Sequence, residues 1–550
     1  MTAKGGIFEG LRRRRRYRAA RRLRRITEAL RHMYSSRDSY AGYRILDSLL
    51  EATPTVSKQA ARLFPEECKS ELDDRLRTNL LDRMLARYLL QQIALGLWDG
   101  EERVVNALPA SWRHSLARQG IAVDGLTSWL RWRMLQLRLI VAAFRRAINL
   151  TRYSIAGHRF AVPETYWVAD NFTAEALPAA GSAPEDNPGT LTAFLTARFG
   201  GAAWAVVPGG RLERQVPLSV TAPHPFPPLG GIAPALRFLA GGLVLAGRAA
   251  LGWLLGSGDA AVLAADAVEA RYMEAVPGDR LAAWHVTTNS RVGARPPWAA
   301  VAERRGVKTA MVFYSVNHKP LHFKGQLPCP LYPYYPMLTW PRYFVWDRVQ
   351  ADWIAAATGR PAEFIELGYI PYADKPATLA ETPARAVAVF DIPVARDVVY
   401  ARSRVLPGYY TPSVLRGFLT DIQEVLASAD CTMIIKAKRD IGASSHPAHV
   451  RLIEELRGLP NVVVADANIS AMRISKACRA TISIPFSSPA VAAAMAGKPA
   501  AFYDSADILV AGDTETHGLP LLSDKAALIR WVDAICSQED NDEAPQRSLL

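Results

Sequence analysis

The chain has 550 residues, half of them hydrophobic, and a formal net charge of +14. That length is too great for one domain and predicts two or three, with room for a large core. Five cysteines (Cys68, Cys329, Cys431, Cys478 and Cys536) show neither C-x-x-C nor paired spacing. This argues against a disulfide framework and a zinc site, and fits a reducing, cytoplasmic compartment.

The charge is unevenly spread. Residues 1–31 hold Lys4 and eleven arginines against Glu9 and Glu28, which is +10 of the total. No apolar stretch follows them, so they do not read as a secretory signal. Residues 1–39 form a basic amphipathic segment, with a helix expected over 11–34. Leu23, Ile26, Leu30 and Met33 recur there at helical spacing, with arginines on the other faces. Such a segment reads as an anchor on an anionic membrane surface, where each cation adds about 1 kcal/mol. A solvated charge run is the plainer alternative. Only Tyr17 interleaves the basic run, so nucleic acid is not expected as a partner.

Residues 40–150 carry long Leu/Arg/Ala patterns and predict a helical subdomain. Trp129 and Trp132 fall three apart and share one helix face. Residues 151–372 are assigned to a first α/β domain. Within them, Leu229–Gly258 is apolar but interrupted by Arg237 and Arg248. Its uncharged runs are short of the roughly 20 residues that a spanning helix needs. A buried or interfacial helix pair is expected, and no transmembrane span. From Asp279 strands and helices alternate: LAAWHVTTN, RPPWAAVAERRG, VKTAMVFYSVN, RYFVWD, RVQADWIAAATG and AEFIELGYI. That alternation predicts a parallel sheet.

A proline-bearing linker leads to a second βα series in residues 373–537. The acidic end, 538–550, predicts a disordered tail. The fold class expected is α/β, with two Rossmann-like domains in the two-domain glycosyltransferase (GT-B-like) arrangement behind an N-terminal helical, basic extension.

The most informative stretch lies in the second domain. TISIPFSSPAVAAAMAGKPAAFY, Thr481 to Tyr503, reads as strand, polar turn, small-residue helix, Gly497 and strand. Ser487 and Ser488 precede Pro489, and proline favours the first turn of a helix. Two hydroxyls and free backbone N–H groups at a helix N-terminus make an anion site. An ordinary serine N-cap gives the same local pattern.

The turn Pro485-Phe486-Ser487-Ser488 resembles the signature of the polysaccharide-biosynthesis family named for a Pro-Phe-Thr-Ser motif, with serine in place of threonine. The layout is also similar to the Ser-Ser turn of teichoic-acid glycerophosphotransferases and of transferases using CMP-activated sugars. In those families the turn holds the nucleotide phosphate. The resemblance is clearest over about 281–503.

It implies roles for further residues. Lys436, Lys438 and Arg439 end a strand, where three cations suit a phosphate; a solvated basic loop is the alternative. Related families carry Lys-Pro-His-Pro or Lys-Pro-Lys-Arg at this point. Here Ala437 replaces the proline and His446-Pro447 comes later. Asp391 sits where the family has Phe-Asp, as a ligand acceptor or a turn cap. Tyr314-Ser315-x-Asn317 resembles the family's second motif and brings His318 as candidate general base. Asp347 and His285 are its rivals, with a satisfied loop histidine as the plain reading. The Tyr332–Pro336 loop and Trp340 would stack on sugar rings or pack an interface.

No Glu-x7-Glu pair of the kind used for UDP-sugar ribose appears, which favours a CMP-type donor. No metal or resident cofactor is expected, since the single Asp-x-Asp, Asp540 with Asp542, lies in the acidic tail. These features imply a glycosyltransferase-like enzyme of bacterial surface-polysaccharide synthesis, peripheral on the inner face of the cytoplasmic membrane. Its donor would be a nucleotide-activated sugar, and its acceptor a glycan or glycolipid. A polyol-phosphate transferase, or a non-catalytic membrane-bound scaffold, fits the same motifs.

Overall fold

Short apolar runs closed by Asp, Asn or Gly become strands here, and longer runs with apolar residues three and four apart become helices. In the computed structural model the described residues are 19–33, 40–100, 102–173, 176–177, 189–207, 212–216, 219–316, 321–327, 331–372, 382–392, 394–396, 399, 409–437, 442, 444–510 and 516–537. The expected tail and His318 lie outside them, as do Lys438 and Arg439.

The chain begins with helices α1 (19–33), α2 (Ala41–Glu51), α3 (Lys58–Ala61), α4 (Leu72–Leu85), α5 (Leu89–Asp99), α6 (Ala110–Arg118) and the 32-residue α7 (Gly125–Ala156). Asp124 starts α7 by accepting from the Thr127 N–H at 2.9 Å. The first sheet opens with β1 (Tyr166–Asp170), α8 (Leu191–Phe199), β2 (Ala202–Val206), β3 (Glu213–Val216) and β4 (Ser219–Ala222). Helices α9 (Ile232–Leu254) and α10 (Gly258–Ala275) interrupt it. It resumes with β5 (Trp284–Thr288), α11 (Pro297–Arg304), β6 (Lys308–Val312), the two-residue β7 (His322–Phe323), β8 (Arg342–Val345), α12 (Arg348–Thr358) and β9 (Glu363–Glu366). The strand order is β3-β4-β2-β1-β5-β6-β8-β9. Only β3 and β4 pair antiparallel within this sheet. The chain winds outward from β1 through β2 and β4, then starts again on the other side at β5. That reversal is the switch point of a doubly wound sheet.

The second sheet follows through β10 (Ala386–Asp391), α13 (Pro412–Ser428), β11 (Thr432–Ala437), α14 (Pro447–Arg457), β12 (Val462–Val464), α15 (Ala471–Ala477), β13 (Ala480–Ser483), α16 (Ser488–Met495), β14 (Ala500–Tyr503), β15 (Leu509–Val510), β16 (Leu521–Leu522) and α17 (Lys525–Ser537). Its order is β12-β11-β10-β13-β14-β16, parallel throughout. Counted from β10, this is the Rossmann order, with its switch point between β10 and β13. All six residues of β10 are buried, as a central strand covered on both faces requires. The expected fold class holds.

The carboxyl edges of the two sheets face each other. The Val316 N–H, beyond β6, donates to Ser488 Oγ, beyond β13, at 3.0 Å. Asp347, beyond β8, pairs with His517, beyond β15, at 2.7 Å. Strand β15 pairs antiparallel with β7, matching Leu509 to Phe323 and Val510 to His322.

The helical part differs from expectation in three places. Leu30 and Met33 of α1 are buried in the helical core, and Leu23 and Ile26 pack against it. The apolar stripe assigned to lipid is therefore spent inside the fold, while Arg21, Arg22, Arg24 and Arg31 stay on the outside. Leu229–Gly258 forms one helix, α9, rather than a pair, because Gly241 and Gly242 are tolerated where the backbone packs closely. A Cβ on Gly242 would lie 3.0 Å from that of Ala147 on α7. Helix α9 is long and apolar enough to cross a membrane by length and composition, yet a third of that stretch is buried in the protein. Trp129 is exposed, whereas Trp132 packs against the core.

His224 lies under α7, with Nδ1 3.2 Å from Arg146 Nη1. A guanidinium only donates, so the imidazole accepts and stays neutral. Burial, then the Arg146 charge, lowers its pKa to about 4 from 6.5. A depressed histidine stabilises the fold fully above the unfolded value and loses that contribution as pH falls toward the folded one. Acidification from pH 7 to pH 5 should therefore cost about 1–2 kcal/mol through this group. Urea unfolding at both pH values tests it. His224→Gln should lose less stability on acidification than the parent chain, and equal losses would rule His224 out as the source.

Candidate functional site

The Pro485–Ser488 turn follows β13 and so stands at the switch point of the second sheet. Phe486 takes a left-handed φ of 60°, rare for a bulky side chain. Such a conformation costs about 1–3 kcal/mol and collects at functional turns. Its buried ring meets Phe502 edge-on at 5.7 Å, which holds the turn in place. The Ser487 hydroxyl turns back and donates to the Ile484 carbonyl at 2.8 Å. Although Ser487 is the N-cap of α16, it makes no side-chain cap bond. Among the described residues, no side chain caps the first-turn amides of α16, and the positive end of the helix dipole lies behind them. Gly497, at a φ of 74°, follows the end of that helix.

Ser488 Oγ accepts from Val316 across the two sheets. A hydroxyl has one donor and two acceptor positions. The Val316 N–H fills an acceptor position and leaves the O–H to donate elsewhere. This contact brings together the two motifs singled out in the sequence, since Val316 follows Tyr314 and Ser315. Tyr314 stacks on Tyr372 at 4.0 Å, and its hydroxyl lies 2.9 Å from Ser290 Oγ. The Ser315 carbonyl accepts from Gln350 Nε2 at 2.9 Å. Val316 bonds to Ser488 and β7 pairs with β15, so the described residues on either side of 317–320 both meet the second domain.

Asp391 ends β10 at the same switch point, but it is buried. Its Oδ2 lies 3.0 Å from Nε2 of His449 on α14, also buried. Among the described residues, Asp391 Oδ1, His449 Nδ1 and the hydroxyl of Ser483 have no hydrogen-bond partner. Unspent polar atoms in a core are costly unless something fills them. Sequence reasoning missed His449 and Ser483. A signal was available for His449, which lies two residues into α14 behind His446-Pro447. His446 itself caps α14 by accepting from the Ala448 N–H at 3.1 Å. Lys436 is partly buried on β11, in register with Phe390 of β10.

The two rivals to His318 are engaged elsewhere. Asp347 caps α12 by accepting from the Gln350 N–H at 2.8 Å, and its other oxygen meets His517. That carboxylate ties the two domains together. His285 is buried on β5, with Trp298 edge-on at 4.6 Å and Trp340 stacked at 6.0 Å. It belongs to a packed aromatic layer. Tyr334, Tyr335 and Trp340 are buried too, and Tyr334 donates to Asp82 of α4 at 2.7 Å. These rings pack the fold rather than offering a sugar platform.

At the switch point of the first sheet, Thr288 donates to the Asn171 carbonyl at 2.9 Å, with Asn171 at a φ of 59°. This corner, beside Ser290 and Tyr314, was not anticipated, because β1 was not recognised. Among the described residues, no group of three or more His, Cys, Asp or Glu side chains is placed to hold a metal.

Known structures align with this chain at low similarity. The wall teichoic acid polymerase TagF aligns at 11% identity over 74% of this chain and 90% of its own, with a TM-score of 0.33. S. aureus TarM, solved with fondaparinux, α-GlcNAc-glycerol and UDP, aligns at 11% identity over 51% of this chain and 52% of its own, with a TM-score of 0.29. The UDP-GlcNAc 2-epimerase of Methanocaldococcus jannaschii aligns at 11% identity over 50% and 77%, with a TM-score of 0.30. A comparison with curated proteins finds no match. Residues 249–532 match the family described as polysaccharide biosynthesis PFTS motif protein. That stretch is more than half of the chain and includes the Pro485–Ser488 turn, so this chain belongs to the polysaccharide-biosynthesis PFTS-motif family.

Proposed function

We propose that the protein is a glycosyltransferase of bacterial capsule, O-antigen or exopolysaccharide synthesis. It moves a sugar from a nucleotide-activated donor to a glycan or glycolipid acceptor. The observation that carries this reading is the uncapped Pro485–Ser488 turn at the second sheet's switch point, facing the first sheet through Val316. Family membership supports the pathway, and the turn supports the chemistry.

In this reading the donor phosphate lies on the first-turn amides of α16 and accepts from the Ser488 hydroxyl. Lys436, Lys438 and Arg439 supply cations from the end of β11, which β10 separates from β13. The acceptor hydroxyl attacks the anomeric carbon as the bond from that carbon to the phosphate oxygen breaks. Charge then grows on the leaving phosphate, where fixed dipoles and cations are worth most. The reading assigns that charge to the protein's own donors. His318, between Val316 and β7, takes the acceptor's proton. Asp391 and Ser483 offer spare polar atoms for the ribose or base, and a CMP-type donor is favoured. The arginines within 11–34 draw the enzyme toward the anionic cytoplasmic leaflet, where a glycolipid acceptor would be met.

Thermal stabilisation by CMP, CDP, UDP and GDP identifies the nucleotide. Calorimetric titration of that nucleotide then tests the turn. Ser488→Ala should weaken binding by about 1.5–3 kcal/mol, while Ser488→Thr keeps most of it. Lys438→Ala should weaken it as well, and the double variant should be non-additive because one phosphate is shared. Unchanged affinity in Ser488→Ala, or strict additivity, would reduce the turn to a helix start.

The base is tested separately. His318→Ala should lower turnover by roughly 10²–10⁴-fold with nucleotide affinity retained. Near-normal turnover would remove His318 from the mechanism.

A further inference from the structure

Helices α7 and α9 lie antiparallel on the buried helix α10. Trp253 donates to Gln136 at 2.9 Å near one end, and Tyr153 donates to the Phe226 carbonyl at 2.8 Å near the other. The described residues leave their outer faces uncovered. On α7, Leu126, Leu130, Met134, Leu137, Val141 and Ile148 are exposed. At 100° per residue these six fall within one narrow stripe, about 33 Å long. On α9, Leu236, Val244, Leu251 and Leu254 are exposed as well. A monomeric protein rarely leaves so long a contiguous apolar surface without a use for it.

The charge beside the stripe is of one sign. Arg131, Arg138, Arg145 and Arg152 recur every seven residues along one edge of it and are exposed. Neither α7 nor α9 contains an Asp or Glu, while together they hold eight arginines. Next to the stripe is a cavity of about 560 Å³, whose lining includes Arg87, Arg131 and Arg138 together with Leu130 and Met134. No acidic side chain lines it. Burial, then Arg138 and Arg131, lowers the pKa of Arg87, so an anion there would relieve crowded positive charge.

We infer that the α7–α9 face docks on an anionic lipid bilayer. The aliphatic stripe enters the interfacial layer, the arginine row meets the headgroups, and the three-arginine cavity receives a lipid phosphate. An apolar stripe, a strongly basic border and an exposed tryptophan are what an interfacial helix needs. A second copy paired about a two-fold axis would set arginine against arginine. The inference stands apart from the transferase reading, because it rests on a different part of the molecule. It also differs from anchoring by α1, whose apolar stripe is internal.

Flotation of the full chain with vesicles tests it, using phosphatidylglycerol mixed into phosphatidylcholine against phosphatidylcholine alone. The parent chain should bind the anionic vesicles and bind neutral ones at least tenfold more weakly. Leu130→Gln with Leu137→Gln should reduce binding to anionic vesicles roughly tenfold or more, since it removes buried apolar area. Arg131→Gln with Arg138→Gln should erase most of the preference for anionic lipid. Both variants change exposed side chains, so their thermal midpoints should stay near that of the parent. Replacing Arg12 to Arg16 with glutamine should leave substantial binding. Parent-like binding by both α7 variants would overturn the inference. So would equal binding to neutral vesicles, or a vesicle-free dimer that Leu130→Gln dissociates.

Discussion

The hydrogen bond from the Val316 N–H to Ser488 Oγ is the contact on which the rest of the site depends. It fixes two sheets with their carboxyl edges opposed, so loops from both converge on one cleft. The Asp347–His517 pair and the β7–β15 ladder hold the same alignment at two other points. All three contacts join loops at strand ends, not the sheets themselves. A buried apolar cluster also spans both domains, taking in Phe344, Trp346 and Ile370 of the first and Val389, Tyr409 and Ile482 of the second.

The helical part is not an appendage. Arg295, before α11, grips Glu71 with two nitrogens, its Nε lying 2.8 Å from Oε2. Asp266 of α10 accepts from Arg75 and Asn79 of α4, both at 2.7 Å. Removing one partner of a buried ion pair costs about 3–5 kcal/mol, because the other is left uncompensated. The first pair ties the turn before α4 to the segment before α11, and the second ties α4 to α10. The positive charge of the protein therefore appears in two places with different physics. In the arginine-rich start it surrounds a helix whose apolar side is already buried. On α7 it borders an apolar stripe that the described residues leave uncovered.

Much of the architecture was legible because parallel strands announce themselves. AVAVFD, TMIIKA and ATIS are continuous apolar runs, and Pro412, Pro447 and Pro489 mark the helix starts between them. The switch point followed once the strands were ordered. What escaped was set by distance in sequence. YWVAD and AAWAV are equally apolar, but they sit beyond a long helix and were not joined to the strands after Asp279. The pairing of Asp391 with His449 spans 58 residues, and that of Asp347 with His517 spans 170. No local spacing encodes either. Leu23 to Met33 shows the opposite failure. Periodicity located an amphipathic helix correctly, but periodicity alone does not say whether lipid or protein covers the apolar side.

The most direct test of the account is a crystal structure with the nucleotide that stabilises the protein best. The account predicts a phosphate oxygen within hydrogen-bond distance of the Ser488 hydroxyl and of the first-turn amides of α16, with the ribose toward the end of β10. A phosphate seated instead at the first sheet's switch point, between β1 and β5, would contradict it.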